Sequence, residues 1–444
     1  MRRRTYLKTT GTALLGLAAT GTAVADDDRR GNYRPGGPWP GSEHAYNLNA
    51  YHTNEELAAD LQRLDRKSDR ISLTQIGRSA GLGGPIWEVT VGDGDTGVHL
   101  INQIHGDEPV GTEVTLSLLR DLALGNSKQV DLLLDELSFT VVPRVNPDGA
   151  MFEYDIDDDG TDEWIGRRTN TQDWAEGDSA YRPSYHYATP DDAHPGYDMN
   201  RDFNIALDAD AIDEQDGSWS QSDSGVNYYD VEYEGYTLRS SGLMLAPEVR
   251  AVAASALRAD PDYAITHHHQ GRYLYPGSGD GNQPPKQTIM SVMPAYGEAY
   301  LDRSPFDFDG ADVEQVVDPF IDAETSERSL QLNVLVEEAL GQRGDSVFDS
   351  VTRYGYYPLW GSYLDTVCPN TGAAGLLYEV AGQTDDRGQQ GFGQMVQATT
   401  VGFMATFEAM ADGSIDDVDA EKYWDIPLTG DPLENPHGVD LPTR

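Results

Sequence analysis

The amino-acid sequence predicts an α/β fold in which a β-sheet carries helices on both faces. Short apolar runs recur between residues 71 and 143, and amphipathic stretches with helical periodicity alternate with them. The same alternation returns between residues 247 and 412. Such alternation is typical of a sheet that is covered by helices on both sides. A chain of 444 residues with 38% hydrophobic residues is also long enough to form a sizeable core.

The individual elements follow from local patterns. A capping pattern at residues 53–56 (Thr-Asn-Glu-Glu) predicts a helix that continues to about Lys67. A helix is also expected at 110–124, because Pro109 is tolerated in a first helical turn. Apolar runs predict strands at 71–76, 86–91, 97–104, 137–143, 262–269 and 373–380, with a glycine turn at 81–84. Further helices are expected at 247–257, 330–341 and 391–412.

The two ends of the chain differ from the part between them. Residues 1–25 have an arginine-rich start, a short apolar stretch and an Ala-Val-Ala cleavage site, and Arg3-Arg4 resembles a twin-arginine export signal. The apolar stretch is too short to span a bilayer. We therefore expect export by the twin-arginine machinery, a secreted protein and no membrane span in the mature form. Residues 26–45 are interpreted as a linker, 46–412 as the main domain and 413–444 as an acidic C-terminal extension.

The charge of the chain is strongly negative. The formal net charge is −44, and only five residues are lysines. This charge argues against binding to nucleic acid or to anionic membranes. Because the acidic residues are spread along the whole chain, we interpret them as a solvated coat suited to high salt, as in a salt-adapted organism. An acidic partner-binding surface is the alternative. The single cysteine, Cys368, excludes an internal disulfide.

An acidic and aromatic insertion occupies residues 150–195 and has little periodicity. Insertions of this kind usually form surface loops near a site. Within it, the spacing of acidic residues from Asp155 to Asp162 imitates a calcium-binding loop, but the closing glutamate of an EF-hand is absent. A calcium site and a solvated acidic loop both remain open.

A candidate metal pair lies where the predicted strand 97–104 meets the helix at 110–124. His105 and Glu108 are three residues apart on this turn, so one imidazole and one carboxylate can bind the same cation. A zinc hydrolase needs a third protein ligand and an open position. The histidines at 267–269 form the only run of adjacent histidines, and they end a predicted strand. Ligands gather at the carboxyl ends of strands in such sheets, which brings the two halves together.

Several motifs now occur in the order found in the zinc carboxypeptidases of the carboxypeptidase A-like family, and over residues 46–410 the chain resembles that family. His105 and Glu108 resemble its His-x-x-Glu metal pair. The resemblance also rests on Asn-Pro-Asp-Gly at 146–149, Arg-Arg-Thr at 167–169, Asp-Met-Asn-Arg-Asp-Phe at 198–203, Pro-Glu at 247–248 and Tyr-Glu at 378–379. It implies a single catalytic domain with a mixed sheet and one Zn²⁺ per chain.

The resemblance leaves the third zinc ligand open. Matching Tyr-Pro at 275–276 to the family selects His267, whereas matching the strand register selects His268. In the second register polar Thr266 shares a face with the ligand, while Ile265 points to the other side. We favour His268 and keep His267 as the alternative.

The resemblance also implies the other roles. Glu379, at the end of an apolar strand, would be the general base that takes a proton from water and returns it to the leaving amine. Arg167 would stabilise the developing oxyanion. Asn200 and Arg201 would bind the C-terminal carboxylate of a substrate. Tyr357, selected by counting residues back along the sequence from Glu379, would close over the substrate.

The side-chain preference of the enzyme is not fixed by the sequence. Leu364 at the base of the pocket would favour apolar or aromatic C-terminal residues, whereas Asp365 there would favour Lys or Arg. The leading prediction is a secreted zinc metallocarboxypeptidase that acts on the C-termini of peptides and proteins. A zinc amidohydrolase that deacylates N-acyl amino acids is one alternative, and a non-catalytic peptide-binding relative is another.

Overall fold

The computed structural model describes most of the region predicted to be the main domain. The described residues are 51–155, 160, 162–164, 166–172, 186–187, 196–208, 217–221, 227–239, 242–276, 278, 286–303, 317–342, 346–381 and 388–432. The predicted export signal at 1–25, the linker at 26–45 and residues 433–444 of the predicted extension lie outside them. Part of the predicted calcium loop, including Asp157 and Asp159, also lies outside them.

An eight-stranded mixed sheet forms the centre of the molecule, with the strand order β1-β2-β4-β3-β12-β15-β13-β14. Its middle strands β4, β3, β12 and β15 are parallel, whereas β1, β2 and β13 run antiparallel to neighbours. The strands are β1 (Ile71–Arg78), β2 (Pro85–Val91), β3 (Thr96–Asn102), β4 (Leu137–Val142), β5 (Glu153–Tyr154), β6 (Glu163–Trp164), β7 (His186–Tyr187), β8 (Gly196–Tyr197), β9 (Gly217–Gln221), β10 (Asn227–Tyr233), β11 (Tyr236–Arg239), β12 (Tyr263–Gln270), β13 (Met290–Pro294), β14 (Val351–Arg353) and β15 (Ala374–Ala381).

Helices cover both faces of this sheet, which confirms the predicted fold class. The helices are α1 (Asn54–Lys67), α2 (Val110–Leu124), α3 (Lys128–Glu136), α4 (Pro147–Ala150), α5 (Pro247–Ala259), α6 (Ala323–Gly341), α7 (Tyr363–Thr371) and α8 (Gly388–Asp412). Helices α5 and α7 pack on one face, and α2, α3, α6 and α8 lie on the other. Within the described part of the chain, none of them is long and apolar enough to cross a membrane.

The start of α1 shows how local sequence produces these elements. The Thr53 hydroxyl accepts a hydrogen bond from the Glu56 backbone N–H, and the Glu56 carboxylate accepts one from the Thr53 backbone N–H. This reciprocal capping satisfies two N–H groups that have no partner within the helix. Leu57, Leu61 and Leu64 then share one buried face, so the helix packs against the core through one apolar stripe.

Residues after α8 continue the same core, although the sequence suggested a boundary at Asp412. Ile415, Tyr423 and Ile426 are buried in the hydrophobic cluster that also contains the sheet strands. The Arg353 guanidinium donates to the Ile426 carbonyl oxygen (2.9 Å), and Leu428 pairs with Arg353 as a short parallel bridge. The boundary at 412 therefore does not separate two bodies in the described residues. Acid-rich composition concealed the few apolar side chains that anchor this segment.

Candidate metal centre and active site

A strained turn ends β3 and carries the first two predicted metal ligands. Gln103 follows the strand with a positive φ of 52°, a conformation that is uncommon for a residue other than glycine. Its Nε2 donates to the Gly106 carbonyl oxygen, and its Oε1 accepts from the Thr112 hydroxyl and the Arg144 guanidinium, each at 2.7 Å. These contacts fix the direction in which the chain leaves β3 and enters α2.

The Asn-Pro-Asp-Gly segment at 146–149 supports this turn from one side. The Asn146 backbone N–H donates to the Gln103 carbonyl oxygen (3.0 Å), and the Asn146 amide donates to the Thr169 carbonyl oxygen (3.1 Å). Gly106 lies so close to the backbone of this segment that a Cβ atom on it would be 2.1 Å from the Gly149 carbonyl carbon. The segment therefore links the end of β3 to residues 167–170, and it leaves room only for glycine at 106.

His105, Glu108 and His268 converge at the carboxyl ends of β3 and β12. One candidate ligand atom from each lies within 4.8 Å of the others, and all three residues are buried. Glu108 Oε1 is 2.9 Å from His105 Nδ1, Glu108 Oε2 is 2.9 Å from His268 Nδ1, and the two Nδ1 atoms are 3.2 Å apart. In the part of the chain that the structure describes, this is the only such group of metal-binding side chains.

The arrangement fits zinc. Zinc bonds of roughly 2.0–2.1 Å at tetrahedral angles hold neighbouring ligand atoms slightly more than 3 Å apart, close to the separations observed here. His105 Nε2 is 3.2 Å from Asp198 Oδ1, and His268 Nε2 is 3.1 Å from Thr266 Oγ1. When each Nε2 carries its proton toward these acceptors, both Nδ1 lone pairs face the centre. Orientation of metal-binding histidines by such partners is typical of zinc sites.

The charges within this group are strongly coupled. Burial raises the pKa of the Glu108 carboxyl, but His105 and His268 outweigh burial and hold that pKa well below its usual range. Burial and Arg168 lower the pKa of His105, yet the carboxylates of Glu108 and Asp198 raise it to about 9. Burial lowers the pKa of His268 below its ordinary value. An anionic carboxylate between two imidazoles is a favourable environment for a cation.

His267, the alternative third ligand, points to the opposite face of the sheet. Its Nε2 lies 2.9 Å from the Thr399 hydroxyl on α8, and its ring stacks on Tyr378 and meets the edge of Phe403. Side chains alternate between the two faces of a strand, so neighbours on β12 cannot both reach His105. The structure brings His268, and not His267, to the candidate metal centre.

The two neighbouring arginines are also separated, and here the sequence-based choice of Arg167 needs correction. Arg168 Nε donates to Asp198 Oδ2 (2.9 Å), and its Nη1 lies 3.3 Å from His105 Nδ1 and 3.9 Å from Glu108. The Arg167 guanidinium instead lies over the Phe152 ring and donates to the Thr169 hydroxyl. The two side chains thus have different surroundings, and Arg168 is the cation that faces the site.

Glu379 lies beside His268 on the adjacent strand β15. The two residues are Cα partners in the parallel β12–β15 ladder, so their side chains share a face. Glu379 is only partly buried as a residue, but its Oε2 is buried and has no hydrogen-bond partner among the described residues. Burial and the Glu108 carboxylate raise the pKa of Glu379 to about 8, against the lowering effect of His105, Arg168 and Arg201. A carboxyl group in this range can accept and return a proton near neutral pH.

The predicted carboxylate clamp lies on the short helical turn 199–201, directly after Asp198. The Tyr363 backbone N–H donates to Asn200 Oδ1 (2.9 Å), so the Nδ2 of that amide remains available as a donor. Arg201 Nη1 donates to the Asn200 carbonyl oxygen (2.7 Å), and the guanidinium charge lowers the pKa of Glu379. The charge of Arg201 thus reaches the candidate base.

The loop that precedes α7 contains the predicted closing residue Tyr357 and two further tyrosines, Tyr354 and Tyr356. Tyr356 is buried and donates to Asp365 (2.8 Å), whereas Tyr357 is partly exposed. The Tyr354 hydroxyl donates to Gln270 Oε1 (2.6 Å), and burial together with Glu379 raises its pKa. Tyr354 is therefore the tyrosine of this group whose hydroxyl is influenced by Glu379.

Neither candidate for the base of the specificity pocket is exposed. Leu364 and Asp365 are both buried at the start of α7. The Asp365 carboxylate accepts from the Tyr356 hydroxyl, the Leu359 backbone N–H and the Ser362 hydroxyl at 2.7–2.8 Å. Ser362 in turn caps α7 by accepting from the Asp365 N–H. Asp365 is thus committed to an internal network in this structure.

Sequence reasoning assigned no role to Asp198 or Arg168, although both contact His105. The spacing Asp-x-Asn-Arg was itself the available signal for Asp198, because a 3₁₀ turn brings its first and third residues together. The Asn200 backbone N–H indeed donates to Asp198 Oδ1 (3.1 Å). For Arg168, residues 167–169 form no strand, and no periodic signal in the sequence distinguishes it from Arg167.

Comparison with known proteins agrees with the candidate zinc site. A family model described as zinc carboxypeptidase matches residues 57–399. Carboxypeptidase E of Caenorhabditis elegans is 33% identical over 135 residues, which is 27% of each chain. Carboxypeptidase D of Homo sapiens is 31% identical over 118 residues, which is 24% of this chain and 8% of the human protein. The aligned region thus spans about a quarter or less of the length of these two relatives.

Solved structures show a weaker similarity. The crystal structure of thrombin activatable fibrinolysis inhibitor has a TM-score of 0.49 at 15% identity, covering 83% of this chain and 75% of the other. The metallo-carboxypeptidase from Burkholderia cenocepacia has a TM-score of 0.47 at 15% identity, covering 82% of this chain and 70% of the other.

Proposed function

Because the chain belongs to the zinc carboxypeptidase family, we propose that it is a zinc metallocarboxypeptidase that removes the C-terminal residue from peptides or proteins. The observation that carries this proposal is the convergence of His105, Glu108 and His268, with Glu379 on the next strand of the same sheet face. Asn200 and Arg201 add a donor pair suited to a free carboxylate. No single one of these features would specify an exopeptidase, but their combination does.

In the proposed site, His105, Glu108 and His268 hold one zinc ion. A bound zinc ion supplies Lewis acidity that activates water and polarises the scissile carbonyl. Glu379 accepts the proton of the attacking water and passes it to the amine that leaves. Burial and Glu108 raise the pKa of Glu379, and the charge of a bound cation would lower it again, so that the ionised carboxylate is available as the base.

Arg168 would stabilise the negative charge that develops on the carbonyl oxygen. Its Nε is 2.9 Å from Asp198 Oδ2, and the Arg168 side chain is 42% exposed. Part of the guanidinium group therefore remains accessible to a substrate. Asp198 contacts both Arg168 and His105, and it would hold the guanidinium and the imidazole in a fixed position relative to each other. Preorganised charge of this kind is usually a large contribution to catalysis.

Asn200 and Arg201 would bind the substrate carboxylate and thereby restrict cleavage to the last peptide bond. The Asn200 amide is oriented by the Tyr363 backbone N–H, which leaves Nδ2 to donate. Arginine offers a planar fork for bidentate binding of a carboxylate. Tyr357, partly exposed on the loop before α7, is the proposed closing residue.

A pair of substrates tests the proposal. We would offer a blocked dipeptide with a free C-terminus and the same dipeptide with an amidated C-terminus. Release of the last residue only from the free form, lost on chelation and restored by Zn²⁺, is expected. Equal cleavage of both forms would contradict the carboxylate clamp, and preference for a short N-acyl amino acid would favour a deacylase.

We also propose that the protein is exported by the twin-arginine machinery and works outside the cell in high salt. The support is the arginine pair at 3–4, the apolar stretch and the cleavage site after residue 25, together with the net charge of −44. Replacing both arginines by lysine should leave the protein inside the producing cell. Undiminished export of this double variant would contradict the proposed route.

A further inference from the structure

The side chain of Gln270 crosses a strand of the central sheet beside Glu379. Gln270 lies on β12, two residues after His268, so the two side chains share a face. Gln270 Oε1 accepts a hydrogen bond from the Ser291 hydroxyl at 2.7 Å. Ser291 belongs to β13, and β15 lies between β12 and β13 in the sheet. The carboxamide must therefore extend over β15.

The register shows where this crossing takes place. His268 on β12 and Ser291 on β13 are both Cα partners of Glu379, and Gln270 is the Cα partner of Ala381. A line from Gln270 to Ser291 passes between Glu379 and Ala381, which are successive residues on one face of β15. The small side chain of Ala381 leaves room for the crossing. The carboxamide is consequently a direct neighbour of the Glu379 side chain.

The orientation of this carboxamide is fixed by two hydroxyl groups. Gln270 Oε1 accepts from Ser291 and also from the Tyr354 hydroxyl, at 2.7 and 2.6 Å. Ser291 is held in turn by Thr352 at 2.7 Å and Thr429 at 3.1 Å. With its oxygen occupied, Gln270 retains only the Nε2 group as a donor. The residue is 3% exposed, so this donor cannot turn to bulk solvent.

Two complementary atoms remain without a partner in this region. Gln270 Nε2 and Glu379 Oε2 are both buried, and neither has a hydrogen-bond partner among the described residues. Buried donors and acceptors are rarely left unpaired. When Glu379 is ionised, as a general base must be, the opposite orientation of the amide would place its oxygen beside the carboxylate, which is electrostatically unfavourable.

We propose that Gln270 is a positioning residue for Glu379. The two side chains are not hydrogen-bonded to each other in this structure; in the working enzyme a rotation of the Glu379 side chain brings its Oε2 within hydrogen-bond distance of Gln270 Nε2 and leaves Oε1 of the base directed toward the cleft. This inference rests on the proposed function, because it assigns Glu379 as the general base. Gln270 does not contact the substrate. It holds one oxygen of the base so that the other receives the proton.

A matched pair of glutamine variants tests the inference in the zinc-loaded protein. Gln270→Met keeps the length and volume of the side chain but removes the donor, and we expect kcat to fall about 10–100-fold, as for other supporting residues of metal sites. KM and zinc content should stay unchanged, which a merely structural role would not produce. Gln331→Met, at another buried glutamine, on α6, is the control and should leave kcat unchanged.

Two further variants keep the test decisive. Ser291→Ala removes one of the two hydroxyls that orient the amide, and it replaces Gln270→Met in the test if that variant is too unstable. We expect Ser291→Ala to lower kcat less than Gln270→Met would, with normal zinc content. In a Glu379→Gln background, Gln270→Met should cause no further loss of the residual turnover. A further loss of equal size, or a loss of zinc with Gln270→Met, would overturn the inference. Full activity of Glu379→Gln alone would instead reject the proposed function.

Discussion

At the scale of single residues, Arg168 determines the charge balance of the active site. It pairs with Asp198 and approaches His105 and Glu108, so its loss removes the cation proposed to stabilise the oxyanion. We expect Arg168→Ala to lower kcat by roughly 10²–10³-fold, the range typical of a lost oxyanion partner. Arg167→Ala should lower kcat much less. Steady-state kinetics of both variants check this prediction, and the reverse order of effects would restore the sequence-based choice of Arg167.

Glu248 predicts a pH dependence of stability that is independent of the metal ligands. It accepts from the Ala80 backbone N–H at 2.9 Å, and burial raises its pKa from the ordinary 4.5 to about 7. A raised pKa means that the folded state binds this proton more tightly. The stabilisation is fully present below pH 4.5 and is lost as the pH rises through about 7.

Glu248→Gln should therefore gain stability relative to wild type as the pH rises. The difference in the free energy of unfolding between the two proteins should shift by on the order of 3 kcal/mol from pH 5 to pH 8. Urea denaturation at the two pH values measures it. A difference that is the same at both pH values would show that Glu248 does not titrate in the folded protein.

Predictions for single residues were correct where residue type and spacing identify the residue. They were uncertain or wrong where the direction of the side chain distinguishes two neighbours. His105 and Glu108 follow from their spacing on a turn, and the structure brings them together. Between His267 and His268, or Arg167 and Arg168, only the face of the strand or segment distinguishes the neighbours. A shift of one residue reverses every such assignment. Gln270 gave no signal, because its importance depends on a contact two strands away.

At the scale of elements, the turn after β3 controls the geometry of the metal centre. A Cβ at Gly106 would lie 2.1 Å from the Gly149 carbonyl carbon and 2.4 Å from the Ala150 nitrogen. Gly106→Ala must therefore displace backbone on one side. We expect a loss of about 1–3 kcal/mol in the free energy of unfolding and a zinc affinity weakened by about tenfold or more. Competition with a fluorescent chelator measures the affinity.

The matched control is Gly393→Ala on helix α8. No atom lies within 4 Å of a Cβ placed there, and alanine is the better helix former by roughly 0.5–1 kcal/mol. This variant should be as stable as wild type or more so, with unchanged zinc affinity. If Gly106→Ala behaves like the control, the 146–149 segment does not position the ligands.

Most long periodic elements were predicted to within a few residues, whereas short or irregular ones were not. The exception is α6, which was predicted at 330–341 but begins at Ala323, where Asp322 caps its first turn. Helix α2 has the predicted bounds Val110–Leu124, because Pro109 marks its start and Gly125 its end. The strand before it ends at Asn102 rather than 104, since Gln103 adopts a left-handed conformation. Helix α7 was missed because Pro369 lies within it, although Ser362 and Asp365 form a recognisable cap. The strands β13 and β14 are too short for a periodic signal.

At the scale of the whole molecule, the net charge of −44 predicts that the folded state needs salt. Repulsion among exposed carboxylates is screened over about 10 Å at 0.1 M salt and about 3 Å at 1 M. We expect the thermal midpoint to rise steadily between 0.1 and 2 M KCl. Sorbitol at matched osmolality should give a much smaller rise. A midpoint that does not depend on KCl would contradict adaptation to high salt.

The single core explains why the fold class was easier to predict than the residue at which the domain ends. Alternating strands and helices specify the layered sheet, and the structure confirms that class. The segment after α8 was interpreted as an extension from its acidic composition, yet it buries Ile415, Tyr423 and Ile426. A few anchoring side chains are sufficient for packing and are too sparse to change composition.

The most direct test of the account compares two neighbouring histidines. His268→Gln and His267→Gln would be purified in high salt, and zinc content and turnover measured for each. The structure predicts that His268→Gln loses most of its zinc and its activity, because Nδ1 of His268 lies at the centre. His267→Gln should keep about one zinc per chain, since that ring packs against α8. Zinc retained in His268→Gln and lost in His267→Gln would contradict the account.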